Sequence, residues 1–351
     1  MREFAYSGLP VRAIFGDGTL AMLAEEVRRL GISRALVLST PRRRGMAEDA
    51  AGRLGVLAAG QFSEAAMHTP VEVTERAMAE VARCGADGVV AIGGGSTTGL
   101  GKAIALRTGL PQVVIPTTYA GSEMTPILGQ TEAGRKTTLR DARVLPETVI
   151  YDVTLTLGLP VSLSAVSGLN AIAHAVEALY ARDGNPVVDL MAEEGIAVLG
   201  RSLPAIVANP QDRDARADAL YGAWLCGICL GSAGMALHHK LCHTLGGMFD
   251  LPHAETHAVI LPHAMRYNTG AAPEAAARVA RALGAQEAAP GLQALARRIG
   301  APTALTELGL TAEAIPPAVA QVMSDPYWNP ETLGAEGLER LLKRALTGAA
   351  A

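Results

Sequence analysis

In the run Ser167-Gly-Leu-Asn170-Ala-Ile-Ala-His174-Ala-Val-Glu-Ala-Leu-Tyr180, Asn170 and His174 stand four residues apart. On a helix they leave from one face. His239 and His243 repeat that spacing, and His253 follows a Gly-Gly pair and Leu-Pro. Three or four imidazoles brought together ordinarily signal a divalent cation, with an anionic ligand completing the set. Here the position that an aspartate would fill is a neutral amide. Imidazoles suit a second chemistry equally well. With a free-side-chain pKa of about 6.5, they can donate protons and hydrogen bonds to anionic oxygens near neutral pH. The cluster His174, His239, His243 and His253, with Asn170 as a neutral hydrogen-bond partner, is therefore the candidate catalytic centre, and His243 and His253 are the candidate proton donors. His68, His238, His257 and His263 are read as structural. The loop Asp325-Pro-Tyr327-Trp-Asn-Pro330 has prolines near both ends that restrict it. Binding residues are often carried on such loops, so Tyr327 is expected to close over a bound anion.

A second set of residues suits a dinucleotide. The apolar run 88–93 passes into Gly93-Gly94-Gly95-Ser96-Thr97-Thr98-Gly99-Leu-Gly101-Lys102. Glycines at a strand-to-helix turn let backbone N–H groups approach a pyrophosphate, and the helix N-terminus adds a favourable dipole. The segment is not a P-loop, because Ala103 replaces the required Ser or Thr. Run 112–116 ends in Pro116-Thr117-Thr118-Tyr-Ala-Gly-Ser122-Glu123, small hydroxyl residues at another strand edge. Thr40, Gly93, Gly94, Gly95, Ser96, Thr117, Thr118, Ser122 and Lys136 are the candidate cofactor contacts. Thr40-Pro-Arg42-Arg43-Arg44 has no acid to hold a ribose 2′-hydroxyl. Its arginines either receive the 2′-phosphate of NADPH or form a solvated basic turn, so NADH and NADPH both stay open.

The elements that must position these groups follow from periodicity. Runs 34–39, 88–93, 112–116 and 148–152 are near-continuous and apolar, as buried parallel strands are. They alternate with helical patterns over 20–30, 45–57, 71–82 and 97–106, and 127–140 reads as a hairpin. From Pro160 onward only helical patterns remain, with Pro290-Gly291 and Pro326–Pro330 as loops. The expected fold class is an α/β N-terminal dinucleotide-binding domain (1–157) followed by an all-α C-terminal domain (158–351). A chain of 351 residues suits two domains. A net charge of −4 and no basic run beyond Arg42–Arg44 argue against nucleic acid as a partner. No apolar run reaches the ~18 residues of a membrane span, and the N-terminus lacks a signal-peptide pattern, so a cytoplasmic protein is expected. Cys84, Cys226, Cys229 and Cys242 read as reduced thiols, with Cys226 and Cys229 as packing residues in an apolar helix.

Four segments in this order resemble the iron-containing alcohol dehydrogenase group of the dehydroquinate synthase-like superfamily. They are Gly93-Gly-Gly-Ser96…Lys102, Pro116-Thr-Thr…Gly121-Ser-Glu123, Gly168-Leu-Asn170…His174 and Leu237-His-His239…His243…Pro252-His253. The resemblance spans essentially the whole chain. It implies the dehydroquinate synthase-like fold, NADH or NADPH as cofactor, and a homodimer. The group's metal-binding aspartate falls on Asn170 and its three histidine ligands on His174, His239 and His253; a further active-site histidine falls on His243. The group's aspartate in the Gly-rich loop falls on Gly99. These two departures are similar to the branch that reduces the activated C=C bond of maleylacetate, a small dicarboxylate. No metal is expected on that reading. Any Fe²⁺ or Zn²⁺ would sit at Asn170, His174, His239 and His253. Alternative readings are a metal-dependent alcohol or glycerol dehydrogenase of the same group and a non-catalytic dinucleotide-binding protein; a lyase-type relative is disfavoured.

Overall fold

The computed structural model describes residues 3–132 and 135–351; the side chains of residues 135 and 136 lie outside the description. Two compact units divide between Leu159 and Pro160, with residues 3–7 counted in the second.

In the first unit the strands are β1 (Arg12–Gly16), β2 (Ala35–Leu38), β3 (Ala58–Phe62), β4 (Gly88–Gly93), β5 (Gln112–Pro116), β6 (Ile127–Glu132), β7 (Arg135–Arg140) and β8 (Thr148–Asp152). Helices α1 (Leu23–Arg29), α2 (Arg44–Leu54), α3 (Val71–Cys84) and α4 (Gly95–Thr108) alternate with them. Six strands form one parallel sheet in the order β1-β8-β5-β4-β2-β3, and β6 pairs with β7 as an antiparallel hairpin. The central strands β2, β4, β5 and β8 are buried throughout, and their Val, Ile and Leu side chains fill the core. Connections leave β2 toward β3 on one side and return to β4 on the other. The carboxyl ends of β2 and β4 therefore flank a switch point, where open α/β sheets bind ligands. Sequence reading misses β1 and β3, the two edge strands. Ala-Ala-Gly-Gln-Phe in β3 carries little β-branched content, and β1 is partly exposed, so neither makes a continuous apolar run.

The second unit contains α5 (Val161–Leu179), α6 (Pro186–Ala208), α7 (Arg213–Ser232), α8 (Leu237–Phe249), α9 (His253–Asn268), α10 (Pro273–Leu283), α11 (Ala288–Arg298), α12 (Ile315–Ser324) and α13 (Ala335–Thr347). Pro290 and Gly291 do not form a loop. They lie in the first turn of α11, where a missing N–H leaves no hydrogen bond unmade. Helix α5 is buried along nearly its whole length, from Ser164 to Leu179. Asn170 and His174 are thus held inside the unit. Helices α8, α9, α12 and α13 share a Leu- and Val-rich core around Leu241, Ile260, Val322 and Leu342. Cys84, Cys226, Cys229 and Cys242 are free and buried. Burial drives the Cys229 thiol up to about 12, as expected of a packing residue. No single helix among the described residues is long and apolar enough to cross a membrane.

His263 on α9 is buried, and neither ring nitrogen has a partner. Burial, then the charges of Arg344 and Arg266, bring its pKa down to about 4. The folded state thus resists a proton that the unfolded chain takes up near pH 6.5. Stability from this group is complete above pH 6.5 and falls as pH drops toward 4, by up to about 3 kcal/mol. His263→Leu should flatten this part of the acid limb in a plot of Tm against pH. An unchanged limb would contradict the assignment.

Candidate active site

The first unit builds a cradle. Gly93 ends β4 at φ 154°, and a Cβ there would lie 2.5 Å from Thr97 Oγ1. A Cβ on Gly94 would lie 2.9 Å from the Thr118 methyl. These glycines let the turn close against the β5 loop, with Thr117 N donating to Gly93 O at 2.9 Å. Gly95, the first residue of α4, instead faces open space: its nearest neighbour would be Ser122 Oγ at 4.0 Å. Two hydroxyls around the turn, Thr97 Oγ1 and Ser122 Oγ, are buried without a hydrogen-bond partner. A helix N-terminus, an open Gly95 and unmatched hydroxyls are features that suit phosphate oxygens. Thr40 lies two residues past the carboxyl end of β2, on the other side of the switch point. Ser96 is half-buried in the first turn of α4. Lys136 lies on β7, and its side chain is outside the description.

Lys102, noted in the sequence only as part of a motif, has a structural role. Its buried ammonium donates to Ser122 O, Thr125 O, Thr125 Oγ1 and Ile127 O at 2.6–2.9 Å, which pins the β5–β6 segment beside the cradle. Burial brings its pKa down to about 7, opposed by the charge of Glu123. Gly99 also has a spatial reason. A Cβ there would fall 2.3 Å from Thr69 Oγ1, on a residue already held at φ 47°. An aspartate at 99 would collide with that strained turn.

The second unit builds the imidazole cluster. Asn170, His174 and Glu177 lie on α5; His238, His239 and His243 on α8; His253 and His257 on α9. His174 Nδ1 and His239 Nε2 are 2.9 Å apart, and His239 Nδ1 lies 2.6 Å from Glu177 Oε2. Glu177 also accepts from Ala236 N at 2.8 Å and His238 N at 2.7 Å, which fixes the start of α8. His238 Nε2 and His257 Nδ1 are 2.8 Å apart. His257 sits 4.3 Å from His253, 5.1 Å from His239 and 6.2 Å from His174, ring centre to ring centre.

His238 and His257, read as merely structural from sequence, therefore belong to the cluster, and His257 lies at its hub. Burial, followed by the charges of neighbouring rings, holds both well below the usual imidazole range, so they stay neutral. Glu177 was also missed; its position three residues after His174 on a helix was a usable signal. His68 and His263 are not among these contacts.

Accessibility separates the rings. Asn170, His174, His238, His239 and His257 are buried, whereas His243, His253 and Tyr327 are half-exposed. His243 and His253 stack with centres 6.4 Å apart, and the Tyr327 hydroxyl lies 3.4 Å from His243 Nδ1. Burial, then the charges of Asp325 and Glu177, raises the Tyr327 pKa, so its hydroxyl remains a donor. The Tyr327 loop is anchored by Asn329, whose side chain exchanges hydrogen bonds with Asn268 at 2.6 and 2.9 Å.

Residues 10–153 match the model described as iron-containing alcohol dehydrogenase, and residues 164–346 match the C-terminal model of that family. The chain is similar to the maleylacetate reductase of Rhizobium sp. (strain MTP-10005), 58% identical over 349 residues, or 99% of each chain. It is similar to the maleylacetate reductase of Burkholderia cepacia, 57% identical over 99% of each. Its fold is similar to the crystal structure of maleylacetate reductase from Agrobacterium tumefaciens, with TM-score 0.97 and 58% identity over all of both chains.

The family name implies iron, and the donor set here does not fit it. Asn170 Oδ1 is a buried acceptor with no partner, but it is neutral. Glu177 is already taken by three N–H donors, and the facing nitrogens of His174 and His239 are spent on each other. Among the described residues, the ligand atoms that converge within 4.8 Å are those of His238, Cys242 and His257, none of them in the expected set. The Gly-rich cradle, by contrast, fits a dinucleotide phosphate.

Because Gly95 has room for a larger side chain, Gly95→Val should fold normally and fill the seat. A fluorescence titration should show NADH and NADPH affinity reduced at least tenfold, about 1.4 kcal/mol, with Tm nearly unmoved. Unchanged affinity would place the phosphates elsewhere.

Proposed function

The chain belongs to the iron-containing alcohol dehydrogenase family, and on that premise we propose that it is a maleylacetate reductase. It reduces the activated C=C bond of maleylacetate with NADH or NADPH, giving 3-oxoadipate in the breakdown of aromatic compounds. The observation that carries this reading is the pairing of a neutral amide at Asn170 with two half-exposed imidazoles and a tyrosine hydroxyl at the rim of a buried histidine cluster.

An unactivated alcohol needs strong polarisation of its oxygen, which a divalent ion supplies. Maleylacetate needs less, because its alkene is conjugated to a ketone. A reduced nicotinamide held by the Gly-rich cradle would supply the hydride for the carbon β to that ketone; the alkene pair would then shift toward the carbonyl carbon and leave the negative charge on the carbonyl oxygen. The protein then has two tasks: to hydrogen-bond the enolate oxygen and to deliver one proton to the α-carbon. His243 and His253 are the accessible imidazoles and take these roles, with Tyr327 as a further hydroxyl donor. The buried pair His174 and His239, braced by Glu177, fixes the ring positions behind them. Asn170 is a neutral hydrogen-bond partner that adds no negative charge against a dianionic substrate. Substrate carboxylates and an enolate are best met by donors, and the cluster is rich in them.

Gly93–Ser96, Thr117, Thr118 and Ser122 would hold the phosphates of the dinucleotide, with Thr40 across the switch point. We further infer a homodimeric, cytoplasmic enzyme, consistent with the free buried thiols and the full-length similarity to the relatives. The alcohol dehydrogenase alternative is weakened because, among the described residues, no free anionic ligand stands at the cluster.

Loss of nicotinamide absorbance with maleylacetate should exceed that with simple aldehydes by orders of magnitude. His243→Ala and His253→Ala should each lower kcat, the proton donor by about 10²–10⁴-fold. Preference for aldehydes, or full kcat in both variants, would overturn the reading.

A further inference from the structure

On α8, between His239 and His243, stands Lys240, a lysine only 6% exposed. Its Nζ lies 3.0 Å from Asp325 Oδ2 and 5.0 Å from the centre of the Tyr327 ring. The two members of this ion pair are unlike. The lysine side chain is 8% exposed and the aspartate side chain 80%. A largely buried ammonium is costly unless it is well matched, and its natural partner is an equally withdrawn carboxylate. Asp325 is instead a surface group just past the end of α12, on the same loop as Tyr327. A carboxylate so exposed is solvated and screened by water, and its hold on a partner is weak. The aspartate is thus easily displaced by another carboxylate, with no change in the charge balance at the ammonium.

We propose that Lys240 is the seat for one carboxylate of the dianionic substrate, and that Asp325 occupies that seat when substrate is absent. This rests on the dicarboxylate reading above. Lys240 and His243 are three residues apart on one helix, so their Cβ atoms lie about 5–6 Å apart. A carboxylate on the ammonium therefore leaves the remaining carbons of a six-carbon acid within reach of His243 and Tyr327. The Tyr327 ring adds an aromatic face beside the ammonium, which favours the cation without competing for the carboxylate. Specificity for a dicarboxylate over a neutral enone then comes from a fixed positive charge on α8.

A mere structural pin between α8 and the 325–330 loop predicts something different, and two variants separate them. If the ion pair only ties down the loop, breaking it from either side has the same effect. If Lys240 binds substrate and Asp325 competes for it, the effects have opposite sign. Lys240→Met should raise KM for maleylacetate at least tenfold with KM for the nucleotide unmoved, while Asp325→Asn should lower KM for maleylacetate. Equal increases in both variants, or an unchanged KM in Lys240→Met, would overturn the proposal. Should the unaltered enzyme fail to reduce maleylacetate, the functional reading falls separately. Calorimetric titration with adipate would then still test the seat: binding weakened in Lys240→Met and strengthened in Asp325→Asn supports it, and equal affinities contradict it.

Discussion

The helical unit depends on how one buried carboxylate is used. Glu177 reaches from α5 to the start of α8, where it accepts from the backbone of Ala236 and His238 and from the ring of His239. A carboxylate at a helix N-terminus is favoured by the helix dipole as well as by its hydrogen bonds. The contact therefore sets the angle and rotation of α8, and with it the positions of His239, Lys240 and His243. It also fixes a proton on His239 Nδ1, directing Nε2 toward His174. Having done this, Glu177 has no capacity left for a cation. Since Asn170 is neutral, the cluster offers donors and no free negative charge.

That balance explains the distribution of burial. The innermost rings, His238 and His257, are kept neutral by desolvation and by their neighbours. They fill space and hold one another while adding no charge. The outer rings, His243 and His253, stay in contact with water, where proton exchange is possible. Tyr327 extends the donor surface outward, with the buried Lys240 ammonium beside its ring. A site of this kind attracts anions and stabilises an oxygen that gains charge during reaction, which is the requirement of conjugate reduction.

Much of this was legible in the sequence because it is local. The i, i+4 spacing of Asn170 and His174, and of His239 and His243, survives directly as positions on α5 and α8. The apolar runs of β2, β4, β5 and β8 are continuous because those strands are central and buried on both faces. What escaped is set by tertiary packing. His257 becomes the hub only when α9 lies against α8, and Lys240 gains its partner from a loop 85 residues away. Edge strands β1 and β3 have no continuous apolar pattern to reveal them. Pro290 and Gly291 read as a loop because their composition resembles one, whereas a helix tolerates them in its first turn. Gly99 shows the reverse case: the departure from aspartate was visible, but its collision with Thr69 was not.

The most direct test of the central claim is to measure metal content and turnover on the same sample of chelator-treated enzyme. The account predicts full reduction of maleylacetate at iron and zinc levels far below one per chain. Activity that disappears with the metal and returns in proportion to added Fe²⁺ or Zn²⁺ would contradict it.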